Sequence, residues 1–472
     1  MGKIIGRQNE KKYLNNLYNS GKAEFLAVYG RRRIGKTFLI REYFDNNFCF
    51  ETTGVIDGSK DEQLSAFTSS LRKIGYKGGI PKNWMTAFEE LRLLLEPKAN
   101  NHRIVIFIDE LPCFDTTKSE FLKAFGHFWN SWANWNKNVF LIVCGSATSW
   151  IVDNIVNNHG GLHNRITAQI HLHQFSLAET EEFFADKNFN FSRDIVLQFF
   201  MALGGVPYYL SLVERGESFA QFIDRTFFNN GILAQEYDRL FASLYRKPEV
   251  YIKVLEYMAT NKSGVTRTDI AKGIKTDNGH LSKILSDLEY CDFIRSLHTI
   301  GRGNKLKSTG QYYQLSDFFT IFYIKFHKFI IPDQDFWKQH LNTSSINSWL
   351  GLAYERVVMC FVDKVKKAIG IEKISSFNYA WRKKDSDGQD VQIDLVINRA
   401  DGIINICEVK YSSGLFDMDK NEYLKIQRRA EVLKKATKTR SAVWPVIITT
   451  NGMTNGGYSN LFPVQITMDD LF

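Results

Sequence analysis

Cysteine and long apolar segments are scarce in this sequence of 472 residues. The six cysteines lie far apart, form no C-x-x-C pair and have no histidine nearby at metal-ligand spacing, which argues against a zinc site and a disulfide framework. No apolar run approaches the roughly 18 residues of a transmembrane helix, and Met1–Arg7 lacks the apolar core of a signal peptide. We therefore expect a soluble, cytoplasmic protein that contacts no membrane.

The composition is that of a folded chain with several cores. Hydrophobic residues make up 44% and aromatic residues 14%, so disorder is not expected. The length corresponds to about three domains. A net charge of +9 favours a polyanionic partner, but charge alone fits an incidental excess of lysine equally well.

A phosphate-binding loop motif, G-x-x-x-x-G-K-[ST], lies between a buried strand at 25–29 and the start of a helix. The glycines allow backbone N–H groups to point at phosphates, and the helix N-terminus favours the anion. Lys36 is expected to reach the β- and γ-phosphates, and the Thr37 hydroxyl to bind Mg²⁺. The residues expected to contact ATP are Gly30, Arg31, Arg32, Arg33, Ile34, Gly35, Lys36, Thr37 and Phe38.

Polar side chains follow two further apolar strands. Asp109 and Glu110 end the first, where they should lie beside the phosphate loop, Asp109 holding Mg²⁺ and Glu110 polarising the attacking water. Ser146 ends the second strand, either to sense the γ-phosphate or to cap the next helix. Arg165 is a candidate to stabilise charge on the phosphoryl group, within the chain or across a contact in a homo-oligomer, but it fits an ordinary surface arginine as well.

The order of motifs resembles a known family, the archaeal-type P-loop ATPases, a branch near the AAA+ and STAND ATPases. The motifs are Gly6-Arg7-x-x-Glu10, Gly30 to Thr37, Ile108-Asp109-Glu110, Cys144-Gly-Ser-Ala147, Arg165-Ile-Thr and Gly204-Gly-Val-Pro-Tyr-Tyr-Leu210. The resemblance implies a five-stranded parallel core followed by a helical lid. It also implies that Pro207 joins the lid helices to the nucleotide, whereas by itself the glycine-proline segment reads as a helix-breaking turn.

The segment 246–320 has the pattern of a helix-turn-helix with a basic wing. Leu281, Ile284, Leu285 and Leu288 fall on one face of its last helix. The side chains expected to contact DNA are His280, Lys283, Arg302, Lys305 and Lys307. A lid or a protein contact is the alternative use of such a domain.

The last third of the chain combines a long helix, expected over 345–370, with a β-hairpin that carries charges. Asp394 lies on one strand, while Glu408 and Lys410 share a face of the other. Charges in apolar strands are costly unless they are paired, and two carboxylates would suit Mg²⁺ with Lys410 activating a water. The alternative is a salt-bridged trio without catalysis.

This D–E-x-K pattern resembles the restriction-endonuclease-like PD-(D/E)xK superfamily, although Ile393 replaces the usual proline. On that resemblance Glu355 becomes an additional metal ligand and Gln427 a weaker candidate. Many archaeal-type ATPases carry such a C-terminal domain, so the two resemblances cover nearly the whole chain.

The predicted fold class is α/β, a P-loop parallel sheet with a helical lid, then a winged helix and an α/β nuclease-like domain. The expected divisions are a core at 1–180, a lid at 181–245, a winged helix at 246–320, a linker at 321–345 and a nuclease-like domain at 346–472. The functional hypothesis is an ATPase that acts on DNA and whose nucleotide state controls the winged helix and a metal-dependent nuclease-like domain. The alternative is an ATP-driven switch or scaffold whose C-terminal domain binds a partner without cleavage.

Overall fold

The computed structural model describes residues 2–157, 165–229, 231–261, 264–276, 278–297, 311–330, 335–385, 387–462 and 464–472. Within them the helices are α1 Gln8–Tyr18, α2 Lys36–Tyr43, α3 Lys60–Lys73, α4 Trp84–Ala99, α5 Phe121–Ser131, α6 Thr148–Ile151, α7 Leu177–Asp186, α8 Arg193–Leu203, α9 Pro207–Leu210, α10 Phe219–Ile223, α11 Glu236–Leu244, α12 Pro248–Ala259, α13 Arg267–Ile274, α14 Asn278–Tyr290, α15 Phe318–Phe326, α16 Phe336–Gln339, α17 Ser344–Cys360, α18 Val362–Ala368 and α19 Lys420–Thr437. None of these helices combines the length and the apolar composition that crossing a bilayer requires.

The strands form three sheets. They are β1 Glu24–Tyr29, β2 Phe50–Thr53, β3 Ile104–Asp109, β4 Val139–Gly145, β5 Ala168–His171, β6 Val265–Thr266, β7 Ile294–Leu297, β8 Tyr312–Leu315, β9 Ser376–Lys384, β10 Asp390–Arg399, β11 Ile403–Lys410, β12 Ala442–Thr449 and β13 Gln465–Ile466. The chain divides into two compact units. The first is Met1–Phe175, Val206–Ser211 and Tyr290–Asp292, and the second is Ser176–Gly205, Leu212–Glu289 and Phe293–Phe472.

The first unit is built on a five-stranded sheet in the order β2-β3-β4-β1-β5, with every neighbouring pair parallel. Its three central strands, β3, β4 and β1, are buried on both faces, as a parallel sheet covered by helices requires. Phe25 and Ala27 join the core beneath α3, α4 and α5, while Leu26 and Val28 join the core beneath α1 and α2. The alternation of side chains along β1 therefore creates two cores, and the predicted α/β parallel sheet is confirmed.

Capping residues mark where several helices begin. Ser59 accepts a hydrogen bond from the backbone of Glu62, whose carboxylate accepts one from the backbone of Ser59 in return, so two donors at the start of α3 are satisfied. Thr266 and Asp269 form the same reciprocal pair at the start of α13. These local bonds place helix starts where the sequence alone identifies them.

The second unit contains the segment in which we predicted a helix-turn-helix. Its elements follow in the order α12, β6, α13, α14, β7, β8, and the three strands form an antiparallel sheet in the order β6-β8-β7. The four apolar residues predicted on the inner face of α14 are all buried: Leu281, Ile284, Leu285 and Leu288. The positions of the predicted wing, 301–307, lie outside the described residues.

The second unit also contains a mixed sheet in the order β13-β12-β11-β10-β9. Strands β9, β10 and β11 are antiparallel, whereas β11, β12 and β13 are parallel. The pairing of β10 with β9 shifts between Ile393 and Val396, as at a β-bulge. The bulge therefore falls at Asp394 and Leu395, and Asp394 is one of the predicted metal ligands.

Two expectations about the second unit were wrong. The single helix predicted over 345–370 is two helices, because Phe361 leaves the helical backbone (φ −114°, ψ 35°) and its ring packs against Phe200. The described residues of the linker predicted at 321–345, which are 321–330 and 335–345, are packed, since Phe326 and Trp337 are buried and the backbone N–H of Trp337 donates to Asp224 at 2.7 Å. Its aromatic residues bury apolar area, which a solvated linker does not do.

Candidate functional site

The loop between β1 and α2 has the backbone that a phosphate site needs. Gly30 has φ 141°, and a Cβ there would lie 2.2 Å from the carbonyl oxygen of Leu172. Gly35 has φ 88° with open space around it, so its requirement is the backbone angle alone. The two glycines of the motif are therefore required for different reasons. At Gly30 the chain that follows β5 approaches closely, and at Gly35 the backbone makes a left-handed turn into α2.

Lys36 folds back over the loop. Its Nζ donates to the carbonyl oxygens of Gly30 and Arg31, both at 2.9 Å, and to the Ser146 hydroxyl at 3.2 Å. Burial lowers the pKa of Lys36, although the carboxylates of Asp109 and Glu110 act in the opposite direction. The Lys36 ammonium is thus buried with three oxygen acceptors within the loop and at the end of β4.

Asp109 lies at the carboxyl end of β3, directly opposite the start of α2. Its Oδ2 accepts a hydrogen bond from the Thr37 hydroxyl at 2.9 Å. Its Oδ1 accepts from the Cys144 thiol at 2.6 Å and from the backbone N–H of Glu110 at 3.0 Å. Burial raises the pKa of Asp109, and Glu110 adds to that rise. A hydroxyl and a carboxylate at this distance are the oxygen ligands that suit Mg²⁺.

Glu110 and Ser146 are joined directly across the ends of β3 and β4. The Ser146 hydroxyl donates to Oε1 of Glu110 at 2.7 Å, and the Ser146 N–H donates to Oε2 at 3.0 Å. Glu110 has a left-handed backbone (φ 46°), which is uncommon for a non-glycine residue and turns the chain abruptly after the strand. The structure thus brings together Lys36, Ser146 and Glu110 as one connected group.

The remaining residues predicted around the nucleotide differ in exposure. Arg31 and Ile34 are buried and Phe38 is exposed, while Arg32 is half-buried. The guanidinium of Arg33 lies 3.9 Å from the centre of the Tyr208 ring, next to Pro207. Pro207 is the first residue of α9, and the segment Val206–Ser211 belongs to the first unit although both flanking segments belong to the second. Arg165 is exposed at the edge of residues 158–164, which lie outside the description.

Of the five residues predicted to contact DNA, the structure describes two. His280 and Lys283 lie on the exposed side of α14, and the Nζ of Lys283 is 3.0 Å from Oδ1 of Asp287. Arg302, Lys305 and Lys307 lie outside the described residues.

The pairing of β10 with β11 places Asp394 beside Glu408. Leu395 is opposite Cys407 in the antiparallel register, so the preceding residue on β10 faces the following residue on β11. Burial raises the pKa of Asp394, and the charge of Glu408 raises it further, while a hydrogen bond from Gln392 at 2.6 Å acts against the rise. Two carboxylates therefore share a poorly solvated site.

Cations from α19 and β11 already surround Glu408. Its carboxylate is 3.1 Å from Nζ of Lys410 and forms an ion pair with Arg429. Lys410 also reaches Glu422 at 2.7 Å, and that contact together with Lys425 lowers the pKa of Glu422 to about 2 despite burial. The trio predicted from the sequence is thus part of a larger network of charges.

The two weaker ligand candidates have other contacts. Glu355 lies half-buried on α17 next to Arg356, and the buried Arg356 interacts electrostatically with both Glu355 and Asp394. Gln427 donates to the Tyr423 hydroxyl at 3.0 Å.

Sequence reasoning missed two partners, Cys144 on Asp109 and Arg429 on Glu408. Cys144 is the first residue of the quoted motif Cys144-Gly-Ser-Ala147, but from the sequence it reads as an apolar strand residue. Arg429 lies on α19, and the spacing of residues along the sequence does not show which face of that helix is turned toward the sheet.

Comparisons with known proteins agree with this geometry. Residues 5–213 match the family described as an ATPase domain predominantly from Archaea. An uncharacterized protein of Methanocaldococcus jannaschii is 24% identical over 440 residues, which are 91% of this chain and 92% of that protein. An uncharacterized ATP-binding protein of the same organism is 40% identical over 43 residues, 9% of this chain and 73% of that protein.

A solved structure, the Walker-type ATPase of Pyrococcus abyssi, has a TM-score of 0.50 at 17% identity, covering 68% of this chain and 96% of its own. That likeness concerns the fold. The phosphate loop, the Asp109–Thr37 contact and the matched family concern the same stretch of chain, so residues 5–213 belong to the family of ATPase domains found predominantly in Archaea.

Proposed function

We propose that this protein hydrolyses ATP with Mg²⁺, using residues of the phosphate loop and the ends of β3 and β4. The observation that carries the proposal is the connected group Lys36, Ser146 and Glu110, with Thr37 and Asp109 next to it. These five side chains come from three segments of the chain: the start of α2, the end of β3 and the end of β4. Their convergence at one edge of a parallel sheet is where such sheets bind ligands.

The residues divide the work by chemistry. Lys36 neutralises phosphate charge, and the first N–H groups of α2 bind phosphate oxygens. Thr37 and Asp109 would hold Mg²⁺, which neutralises charge developing on the phosphates. Glu110, an acceptor at the rim of the site, orients the attacking water, and Ser146 holds the Glu110 carboxylate in place.

The test is steady-state ATP hydrolysis by Glu110→Gln. The amide keeps the size of the side chain and loses its basicity, so the rate should fall by about a hundredfold or more while ATP still binds. The control is Glu120→Gln, an exposed carboxylate just before α5. Equal rates for Glu110→Gln and the parent would refute the role of Glu110.

We further propose that segment 246–320 is a winged helix that contacts DNA, with the nucleotide state controlling that contact. The support is the order of helices and strands around α14 and the exposure of His280 and Lys283 on its outer side. The net charge of +9 adds attraction for a polyanion.

The test is the salt dependence of DNA binding by a variant with Arg302, Lys305 and Lys307 changed to alanine. Each lost phosphate contact reduces the log–log slope by about 0.9. The matched control changes three exposed lysines of the first unit to alanine, Lys73, Lys77 and Lys82, and removes the same charge. An equal change of slope in the two variants would mean that only net charge matters.

For the C-terminal sheet the first candidate function is metal-dependent DNA cleavage. Asp394, Glu408 and the backbone carbonyl of Val409 would hold Mg²⁺, and Lys410 would assist the attacking water. What favours this candidate is the burial of Asp394 beside Glu408, because two such carboxylates repel unless a proton or a cation lies between them.

The second candidate is an ATP-driven switch whose C-terminal domain binds a partner without cleavage. The observation in its favour is the ion pair of Arg429 with Glu408, which balances the carboxylate by protein charge alone.

A plasmid incubated with Mg²⁺ or Mn²⁺, with and without ATP, separates the two. Cleavage that is lost in Glu408→Gln and kept in Glu431→Gln, an exposed carboxylate on α19, supports the nuclease. Absence of cleavage by the parent under all four conditions supports the switch.

A further inference from the structure

Two histidines and an aspartate of the first unit meet outside the nucleotide site. His171 ends β5, His173 follows two residues later, and Asp292 belongs to the segment Tyr290–Asp292. One ligand atom from each lies within 4.8 Å of the other two. Among the described residues this is the one group of three or more histidine, cysteine or acidic side chains that meets this spacing.

The distances fit a single small cation. Oδ2 of Asp292 is 2.8 Å from Nδ1 of His173 and 3.9 Å from Nε2 of His171. Ligands at about 2.0–2.2 Å from a tetrahedral Zn²⁺ lie about 3.4 Å from each other. The two observed separations fall on either side of that value, so small side-chain rotations suffice.

The orientation of His171 is that of a metal ligand with outer support. Its Nε2 is buried and has no hydrogen-bond partner within the described residues. A hydrogen bond to the backbone of Tyr290 therefore involves the other ring nitrogen, Nδ1. Such a bond fixes the tautomer that leaves Nε2 as an acceptor. The His171 ring also stacks on Tyr29, with centroids 5.0 Å apart, which holds its plane.

The surrounding charge tolerates a cation. The guanidinium of Arg7 donates a hydrogen bond to the carbonyl oxygen of His173 at 2.7 Å, and it also forms an ion pair with the Glu10 carboxylate at 3.6 Å. Asp292 supplies the negative charge at the centre of the group. Asp292 lies outside any helix or strand and has a left-handed backbone (φ 59°). This backbone places its carboxylate between the two imidazoles.

We propose that His171, His173 and Asp292 bind a late first-row divalent cation, with Zn²⁺ the best fit. Two imidazole nitrogens and one carboxylate oxygen match its ligand preferences, and three protein ligands leave a fourth position for water. The site is separate from the Mg²⁺ ligands Thr37 and Asp109, which offer oxygen only. Zn²⁺ would displace the proton shared by His173 and Asp292, so binding releases protons.

The cation would link Asp292 to the end of β5. Tyr29, the last residue of β1, pairs with His171, and its carbonyl oxygen accepts the N–H of Leu172 at 2.8 Å. Gly30 of the phosphate loop follows immediately. The proposed cation site is therefore connected, through the pairing of β5 with β1, to the strand that leads into the phosphate loop.

The experiment is a calorimetric titration of the full chain, made without a histidine tag, with ZnCl₂ in excess Mg²⁺ so that oxygen sites are occupied. We expect one Zn²⁺ per chain, with Co²⁺ giving the visible absorption of a tetrahedral site. Asp292→Asn should weaken binding by at least about tenfold. Asparagine tolerates the left-handed backbone at this position, so this variant should fold.

The double variant His171→Ala with His173→Ala should abolish the single binding event, whereas His102→Ala, an exposed histidine two residues before β3, should leave it unchanged. Circular dichroism establishes that each variant is folded. Absence of stoichiometric Zn²⁺ binding by the parent, or its persistence in the folded double variant, would overturn the proposal. The readout does not depend on ATP hydrolysis, so its failure leaves the proposed ATPase untouched.

Discussion

Lys36→Met tests the phosphate site most directly. In the free protein the ammonium donates to two loop carbonyls at 2.9 Å and to Ser146 at 3.2 Å. On the proposed function, phosphate oxygens of ATP would replace these acceptors and would carry a larger negative charge. Methionine keeps the volume of the lysine stem in a position that is only 5% exposed, so the change removes the charge with little change in packing.

The size of the effect follows from the kind of bond that is lost. A hydrogen bond to a charged group contributes about 1.5–3 kcal/mol. Each 1.4 kcal/mol is about a factor of ten in the dissociation constant. The Kd for Mg-ATP should therefore rise by about 10- to 150-fold, and hydrolysis should be lost because the charge that shifts among the phosphate oxygens in the transition state would lack the ammonium.

Isothermal titration with Mg-ATP measures this change, with Lys73→Met on the exposed side of α3 as the control. The thermal midpoint of Lys36→Met without nucleotide should change little. Removing a buried charge stabilises the fold, whereas leaving the carbonyls of Gly30 and Arg31 without their donor costs free energy. A Kd within twofold of the parent would refute the assignment of Lys36 to the phosphates.

Three further changes test neighbouring features. Gly30→Ala places a Cβ 2.2 Å from the Leu172 carbonyl at φ 141°, so it should lower the thermal midpoint and abolish nucleotide binding in a scanning-fluorimetry assay with and without Mg-ATP. Cys144→Ala removes one hydrogen bond from Asp109, worth about 1 kcal/mol, so half-maximal hydrolysis should need about fivefold more Mg²⁺. Asp394 has a raised pKa in the folded protein, so its contribution to stability is fully present below the unfolded pKa of about 3.9 and is lost as the pH rises through the folded pKa. The thermal midpoint of Asp394→Asn relative to the parent should therefore increase from about pH 4 to about pH 7, and a flat difference would contradict the sign.

The first unit was largely predictable because its signals are local. A six-residue apolar strand, a glycine-bounded loop and the helix that follows it are each readable within one window, and the parallel sheet follows from the alternation of strands and helices. The strand ends then place Asp109 and Ser146 beside the loop without further information. Cys144 was not predictable as a partner of Asp109, because its thiol faces the acid only through the pairing of β3 with β4.

The second unit was predictable in its elements more than in its contacts. The β-hairpin predicted to carry Asp394, Glu408 and Lys410 is present as β10 and β11. The break at Phe361 and the burial of Trp337 were missed, since both depend on aromatic side chains that meet residues over a hundred positions away. The periodicity of apolar residues indicates which face of a helix or strand is buried, but it does not indicate which residues pack against that face.

The two acidic pairs of this chain differ in what balances their charge. Asp109 accepts from a hydroxyl, a thiol and an amide, none of them a cation, and Lys36 is the positive charge of that site. Glu408 instead contacts Lys410 and Arg429 directly. A cation therefore gains more at Asp109, where it neutralises a buried carboxylate that neutral donors only solvate, than at Glu408, where it must displace a guanidinium. We therefore expect the acidic pair at Asp109 to depend more on a metal ion than the pair at Glu408. The difference comes from the groups that contact each carboxylate and not from the acidic residues themselves.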